Sequence, residues 1–183
     1  MLLTMLLSMS ICSASNELGI VIVADDDSFK TEEYQKICKK IASDAVILED
    51  EVSNTEEAMV EFATNSTYNK VLFLVIDDIR YKEWTDEGFE FNPGMKYNKE
   101  RTTHTDMIRA YIDMTAYMYN NDSLKNKIEV SGTHSIAKRI FKAKFGLSRG
   151  SQFIDGKPYA VKGAFEKCIK DVRKTLQKDN QHK

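Results

Sequence analysis

The stretch Gln152-Phe153-Ile154-Asp155-Gly156-Lys157-Pro158-Tyr159-Ala160-Val161 decides how the chain is read. An Asp-Gly pair between two apolar runs signals a β-hairpin, because both residues tolerate the positive φ angles that a tight two-residue turn demands. With a hairpin there, its neighbours fall into order. Lys127 to Val130 reads as a short strand. Ser135 to Phe145 reads as a helix with Ile136, Ala137, Ile140, Phe141 and Phe145 inward, and Gly146 is placed to end it. Residues 163 to 177 read as a closing helix with Phe165, Cys168, Ile169 and Val172 on one stripe.

Working outward, Leu18 to Ala24 and Val71 to Ile76 are apolar runs without alternation, the pattern of strands covered on both faces. Between them lie a helical period over 31 to 42 (Tyr34, Ile37, Cys38, Ile41), a strand at Asp44 to Leu48 and a helix from about Asn54 to Thr64. Ser53-Asn54-Thr55-Glu56 has the capping-box spacing at the start of that helix. Arg80 to Thr103, with Trp84, Gly88, Pro93 and Gly94, reads as an irregular loop or lid. From His104 to Tyr119, Met107, Ile108, Tyr111, Ile112, Thr115 and Met118 give a helical stripe that Asn120-Asn121-Asp122 breaks. The expectation is an α/β chain with helices on both sides of the sheet. A doubly wound flavodoxin- or receiver-like sheet is the alternative.

From Asp44 onward, this order resembles that of thioredoxin-like proteins. Val46 to Asp78 is similar to the family's first strand, first helix and central strand, and Ile128 to Leu176 to its later strand, third helix, terminal hairpin and last helix, including the turn Phe153-Ile154-Asp155-Gly156-Lys157-Pro158. A helical insertion around residues 100 to 125 matches the periplasmic oxidoreductase branch. The resemblance implies a three-layer α/β/α sandwich with an N-terminal βα extension. It also implies where chemistry would sit, and there the sequence departs from the family. The family's Cys-x-x-Cys position is occupied by Asp77-Asp78-Ile79-Arg80-Tyr81-Lys82-Glu83-Trp84, and its cis-proline loop by Ser148-Arg149-Gly150-Ser151. Thiol-disulfide exchange, which needs a thiolate at that helix start, is therefore not expected.

With 183 residues, the chain is long enough to bury a core without metal or disulfide staples. A formal net charge of -2, from 26 basic and 28 acidic residues, supplies no field that would gather nucleic acid. Met1 to Cys12 is almost wholly apolar and small residues come after it, as in a secretory signal, and the run is too short to span a bilayer. Residues 1 to 15 are thus expected to be a signal peptide and 16 to 180 a single domain. The expected location is secreted or periplasmic, with no stable membrane insertion. Export would permit a disulfide between Cys38 and Cys168, but each falls on the apolar stripe of a helix, which favours two buried free thiols.

The leading functional expectation is a redox-inactive, chaperone-like module that binds a protein or peptide and needs no cofactor. Its surface would be Arg80, Tyr81 and Trp84 together with Ser148, Arg149 and Gly150, since Trp, Tyr and Arg dominate contact energy. The rival is an enzyme. Asp25, Asp26, Asp77 and Asp78 end the two apolar strands, where carboxylates of an open α/β sheet could meet around a divalent metal or act as in a receiver domain. A single-thiol activity at Cys38 is a further form of that rival. Ser131-Gly132-Thr133-His134-Ser135 crowds hydroxyls against an imidazole, but Thr133 or Ser135 as a helix cap explains the turn more simply.

Overall fold

The computed structural model describes residues 15–90, 101–143 and 151–181. Strand β1 (Ser15–Val23) leads through a single 3-10 turn (Asp27–Lys30) into α1 (Glu32–Cys38), β2 (Val46–Leu48) and α2 (Glu56–Asn65). Three long strands come next: β3 (Tyr68–Glu90), β4 (Arg101–Asn120) and β5 (Ser123–Ala137). A short pair, β6 (Arg139–Ala143) and β7 (Ser151–Asp155), then delivers the chain to α3 (Lys157–Gln181). The main sheet has the order β2-β1-β3-β4-β5, parallel from β2 to β3 and antiparallel beyond, while β6 and β7 form a separate two-stranded sheet.

The expected α/β class holds, and the layers arise from side-chain parity. On β1, Ile20 and Ile22 join the core beneath α1 and α3, while Val21 and Val23 turn to the other face, where Met59 and Ala63 of α2 cover them. This is why the strand shows no alternation: both of its faces are dry. At the centre of the larger core, Phe29, Tyr34 and Phe165 bring the 3-10 turn, α1 and α3 into mutual ring contact.

Several sequence expectations are corrected. The segment 104–119 is not a helix but most of β4, the central strand of the antiparallel half. The buried residues on its α3 face, Ile108, Ala110, Ile112, Met114 and Ala116, alternate strictly, and the expected helical insertion around 100 to 125 is two paired strands. Residues 135–143 are likewise extended, ending β5 and forming β6. Of residues 80–103, expected to be a loop or lid, 80–90 continue β3 and 101–103 open β4, while 91–100 lie outside the described residues.

The stretch 152–161 is a strand that runs directly into a helix. Asp155 Oδ1 accepts the Lys157 N–H at 2.9 Å, and Pro158 sits in the first turn, where its missing N–H costs no intrahelical bond. Gly156 is there for space: its N–H donates to the Lys138 carbonyl at 2.8 Å, and a Cβ would stand 2.1 Å from the Ala137 carbonyl oxygen. The α2 cap is also shifted. Thr55, not Ser53, accepts from the Ala58 N–H, at 3.3 Å.

Candidate functional site

The geometry of the candidate site is set by one extra residue in β3. Ile76 pairs with Met114 and Asp78 with Asp113, which leaves Asp77 as a bulge. An inserted residue moves every later side chain to the opposite face. Before the bulge, Leu72 and Leu74 face α1 and α3, and Val71, Phe73 and Val75 face α2. After it, Ile79 and Tyr81 stand opposite Ile112 and Ala110 on the α3 side, while Asp78, Arg80, Lys82 and Trp84 stand opposite Asp113, Tyr111, Arg109 and Met107.

That second set lies on the α2 face of the sheet, past the part that Met59 and Ala63 cover, and among the described residues no helix packs over it. Its polar groups are held in place by one another. Arg80 Nε pairs with Asp78 Oδ2 at 2.8 Å, and the Arg80 guanidinium also binds Asp113 Oδ2. Ser131 donates to Asp113 Oδ1 at 2.6 Å. The Ser131 hydroxyl and then the Arg80 guanidinium hold the Asp113 carboxyl below the usual carboxylate range. Alongside, Arg109 lies over the Trp84 ring at 5.1 Å and donates through Nε to Ser135 Oγ at 2.7 Å. Arg80 stands 5.9 Å from the Tyr111 ring centroid, and Trp84 Nε1 donates to Asp86 Oδ1 at 2.6 Å. The result is a surface on which two guanidinium groups, each fixed by an ion pair or hydrogen bond, lie over aromatic rings.

Of the predicted binding residues, Arg80 and Trp84 therefore share this surface. Tyr81 does not, because adjacent residues on a strand point to opposite faces. It opens instead into a groove of about 750 Å³ beside the start of α3, lined also by Tyr34, Ile79, Pro158 and Tyr159. Ser148, Arg149 and Gly150 lie outside the described residues. Sequence reasoning misses Tyr111, Arg109 and Asp113. Their signal is the alternation of Met107, Arg109, Tyr111 and Asp113 with buried Ile108, Ala110, Ile112 and Met114.

The four strand-end aspartates do not converge. Asp25 and Asp77 border one groove together with Lys30 and Glu51, Asp26 borders the Tyr81 groove, and Asp78 is paired with Arg80 on the open face. Asp77 accepts a hydrogen bond from Thr115 at 2.7 Å. Among the described residues no group of three or more metal-ligating side chains is placed to hold an ion. Ser131, Thr133 and Ser135 are strand residues, not caps. They alternate with Gly132 and His134, which face α3, so the hydroxyls and the imidazole lie on opposite faces.

Cys38 and Cys168 are both free and fully buried. Burial pushes the Cys38 thiol up to about 12, and burial, then the charges of Asp171 and Asp113, does the same for Cys168. Thiols held that high carry almost no thiolate at neutral pH and are poor nucleophiles. Iodoacetamide is expected to leave both unmodified in the native protein and to label both in denaturant, read by the masses of the peptides that carry them. Rapid native labelling of Cys38 would restore the single-thiol reading.

No protein-family profile matches the chain, and no curated protein matches it. Among solved structures, it is similar to a minor lipoprotein from Acinetobacter baumannii (8% identity, 90% of this chain and 94% of that one, TM-score 0.38). It is also similar to the rare lipoprotein B from Shewanella oneidensis (6% identity, 90% and 97%, TM-score 0.36). A third is a neuraminyllactose-binding hemagglutinin homolog from Helicobacter pylori (10% identity, 91% and 89%, TM-score 0.41). No role is carried over from likenesses at that level.

Proposed function

We propose that this chain is an exported binding module that engages a protein partner through the open face of β3, β4 and β5. The observation that carries the reading is the preorganised pair of stacks, Arg109 on Trp84 and Arg80 beside Tyr111, on a sheet surface that no described helix covers. Trp, Tyr and Arg contribute disproportionately to protein interfaces, and side chains already fixed by hydrogen bonds lose little further entropy on docking. Both thiols are buried with raised pKa, which supports binding rather than redox chemistry as the function. The exported placement rests on the apolar run Met1 to Cys12.

A photo-crosslinking residue in place of Tyr111, introduced in the native host, tests the reading. One predominant protein adduct is expected, absent when the same residue replaces Lys167 on the solvent side of α3. Replacing Trp84 and Arg109 by alanine together should weaken the purified complex by about a hundredfold, the effect of losing two central contacts of about 1.4 kcal/mol each. Unchanged affinity in a folded double variant would sink the assignment.

A further inference from the structure

The groove on the other side of β3 has a different chemistry. Among the described residues the exposed large apolar side chains are Tyr81 (41%), Leu124 and Tyr159 (37%), and two of these three line this one groove. Lys157, at the start of α3, lays its ammonium 4.2 Å from the centroid of the Tyr81 ring and has no carboxylate partner among the described residues. In the lining of the same groove, Asp26 accepts the Ser28 N–H at 2.8 Å and pairs with no cation among the described residues. The other carboxylates are engaged, Glu33 by Lys162 and Asp155 by the Lys157 N–H. The Asp26 charge reaches both rings: after burial, it contributes to raising the hydroxyls of Tyr81 and, behind Glu33, of Tyr34.

A ring face that already holds an ammonium, in one groove with a carboxylate without a counter-ion, has the electrostatics of a cation acceptor. We propose that this groove receives a lysine or arginine side chain of a partner protein, its charged head over Tyr81 and against Asp26 and its stem along Pro158, with Lys157 the internal cation that the guest displaces. Charge complementarity selects that occupant. An apolar guest would bury Asp26 without a partner, and an anionic one would face it directly. A guest cation supplies the missing counter-charge while its methylene stem covers the exposed tyrosine surface. The site is independent of the open face, since strand alternation puts Tyr81 on the opposite side of the sheet from Arg80 and Trp84.

The test uses the purified full chain and an acetylated, amidated Gly-Gly-Lys-Gly-Gly peptide, monitored by NMR of the tyrosine rings. The lysine peptide should shift Tyr81, and the same peptide with norleucine for lysine should not. Lys157→Met removes the competitor and should tighten lysine-peptide binding by about threefold to tenfold, the reciprocal of the fraction of time the ring face stands open. Asp26→Asn keeps an acceptor for the Ser28 N–H while removing the charge, and should weaken binding by a similar factor. Equal binding of the norleucine peptide would reduce the groove to an apolar surface and overturn the proposal. So would unchanged or weaker binding by Lys157→Met, absence of any shift with the lysine peptide, or a response to choline without one to the peptide.

Discussion

Replacing Phe165 by alanine is expected to lower stability by about 3–5 kcal/mol, which for a chain of this size corresponds to a fall in melting temperature of roughly 6 to 20 °C. Phe165 lies on α3 with no exposed surface, its ring 5.6 Å from that of Phe29 and 5.2 Å from that of Tyr34, and those two rings are 4.8 Å apart. The three side chains come from three segments that no backbone ladder joins: the 3-10 turn after β1, α1, and α3. Alanine at 165 would remove the ring that both of the others touch and leave a cavity that the strand residues of the same core, among them Ile20, Ile22 and Leu72, cannot collapse to fill. Leucine at the same position refills most of the volume and forfeits only the ring geometry, so it should cost about half as much or less. Thermal and urea melts of the two variants separate the cases. A Phe165→Ala variant that loses under about 1 kcal/mol would show that α3 is held to the sheet by other means.

The difference between what the sequence discloses and what it conceals has a physical basis in β4. In that strand Ile108, Ala110, Ile112, Met114 and Ala116 point to α3, while Met107, Tyr111, Thr115 and Tyr117 on the opposite face are also large or β-branched. When both faces of a strand carry apolar atoms, every spacing is populated, and the set Met107, Ile108, Tyr111, Ile112, Thr115 and Met118 fits a helix equally well. The threonines and tyrosines of 102–119 are the arbiter, since β-branched and aromatic residues favour extended backbone. The first half presents no such conflict: β1, α1, β2 and α2 fall close to where their patterns place them, because each helix there shows one apolar stripe and β1 carries an unbroken apolar run. The Asp155-Gly156 dipeptide signals a hairpin only in isolation from its C-terminal neighbours. The Lys157 N–H turns instead to the Asp155 side chain, an Asx turn just ahead of α3, and a proline has no N–H to offer a hairpin partner.

The binding residues are concealed for the same reason. Arg80, Tyr81 and Trp84 can be grouped only if the segment is a loop. Once it is a strand, parity separates Tyr81 from the other two and brings in Tyr111 and Arg109 from β4, distant in sequence and adjacent in register. The Asp77 bulge makes this assignment invisible to any alternation count begun at Val71, since it inverts the parity of everything beyond.

Substitution at Gly132 is expected to unseat α3. This glycine lies on β5 with an ordinary negative φ, so its role is not conformational freedom. A Cβ there would stand 2.0 Å from the carbonyl oxygen of Ala164 and 2.7 Å from Cys168 Sγ. The first of these is helix backbone, which has no rotamer to retreat into, so α3 must lift from the strand. Overpacking of this kind costs about 1–3 kcal/mol for alanine, and valine, with two more methyl groups against the same wall, should exceed that. The source of the clash can be separated in one further step. Cys168→Ala removes the sulfur contact but leaves the Ala164 carbonyl, so adding it to Gly132→Ala should recover only a small part of the lost stability. A lifted helix would also uncover Cys168, whose thiol now donates to the Ile112 carbonyl at 3.7 Å. Alkylation of Cys168 in native Gly132→Ala should therefore be faster than in the parent protein, while Cys38, buried at the end of α1, keeps its protection. Equal stability of Gly132→Ala and the parent, or full rescue by Cys168→Ala, would mean that the helix does not rest on the strand backbone at this point.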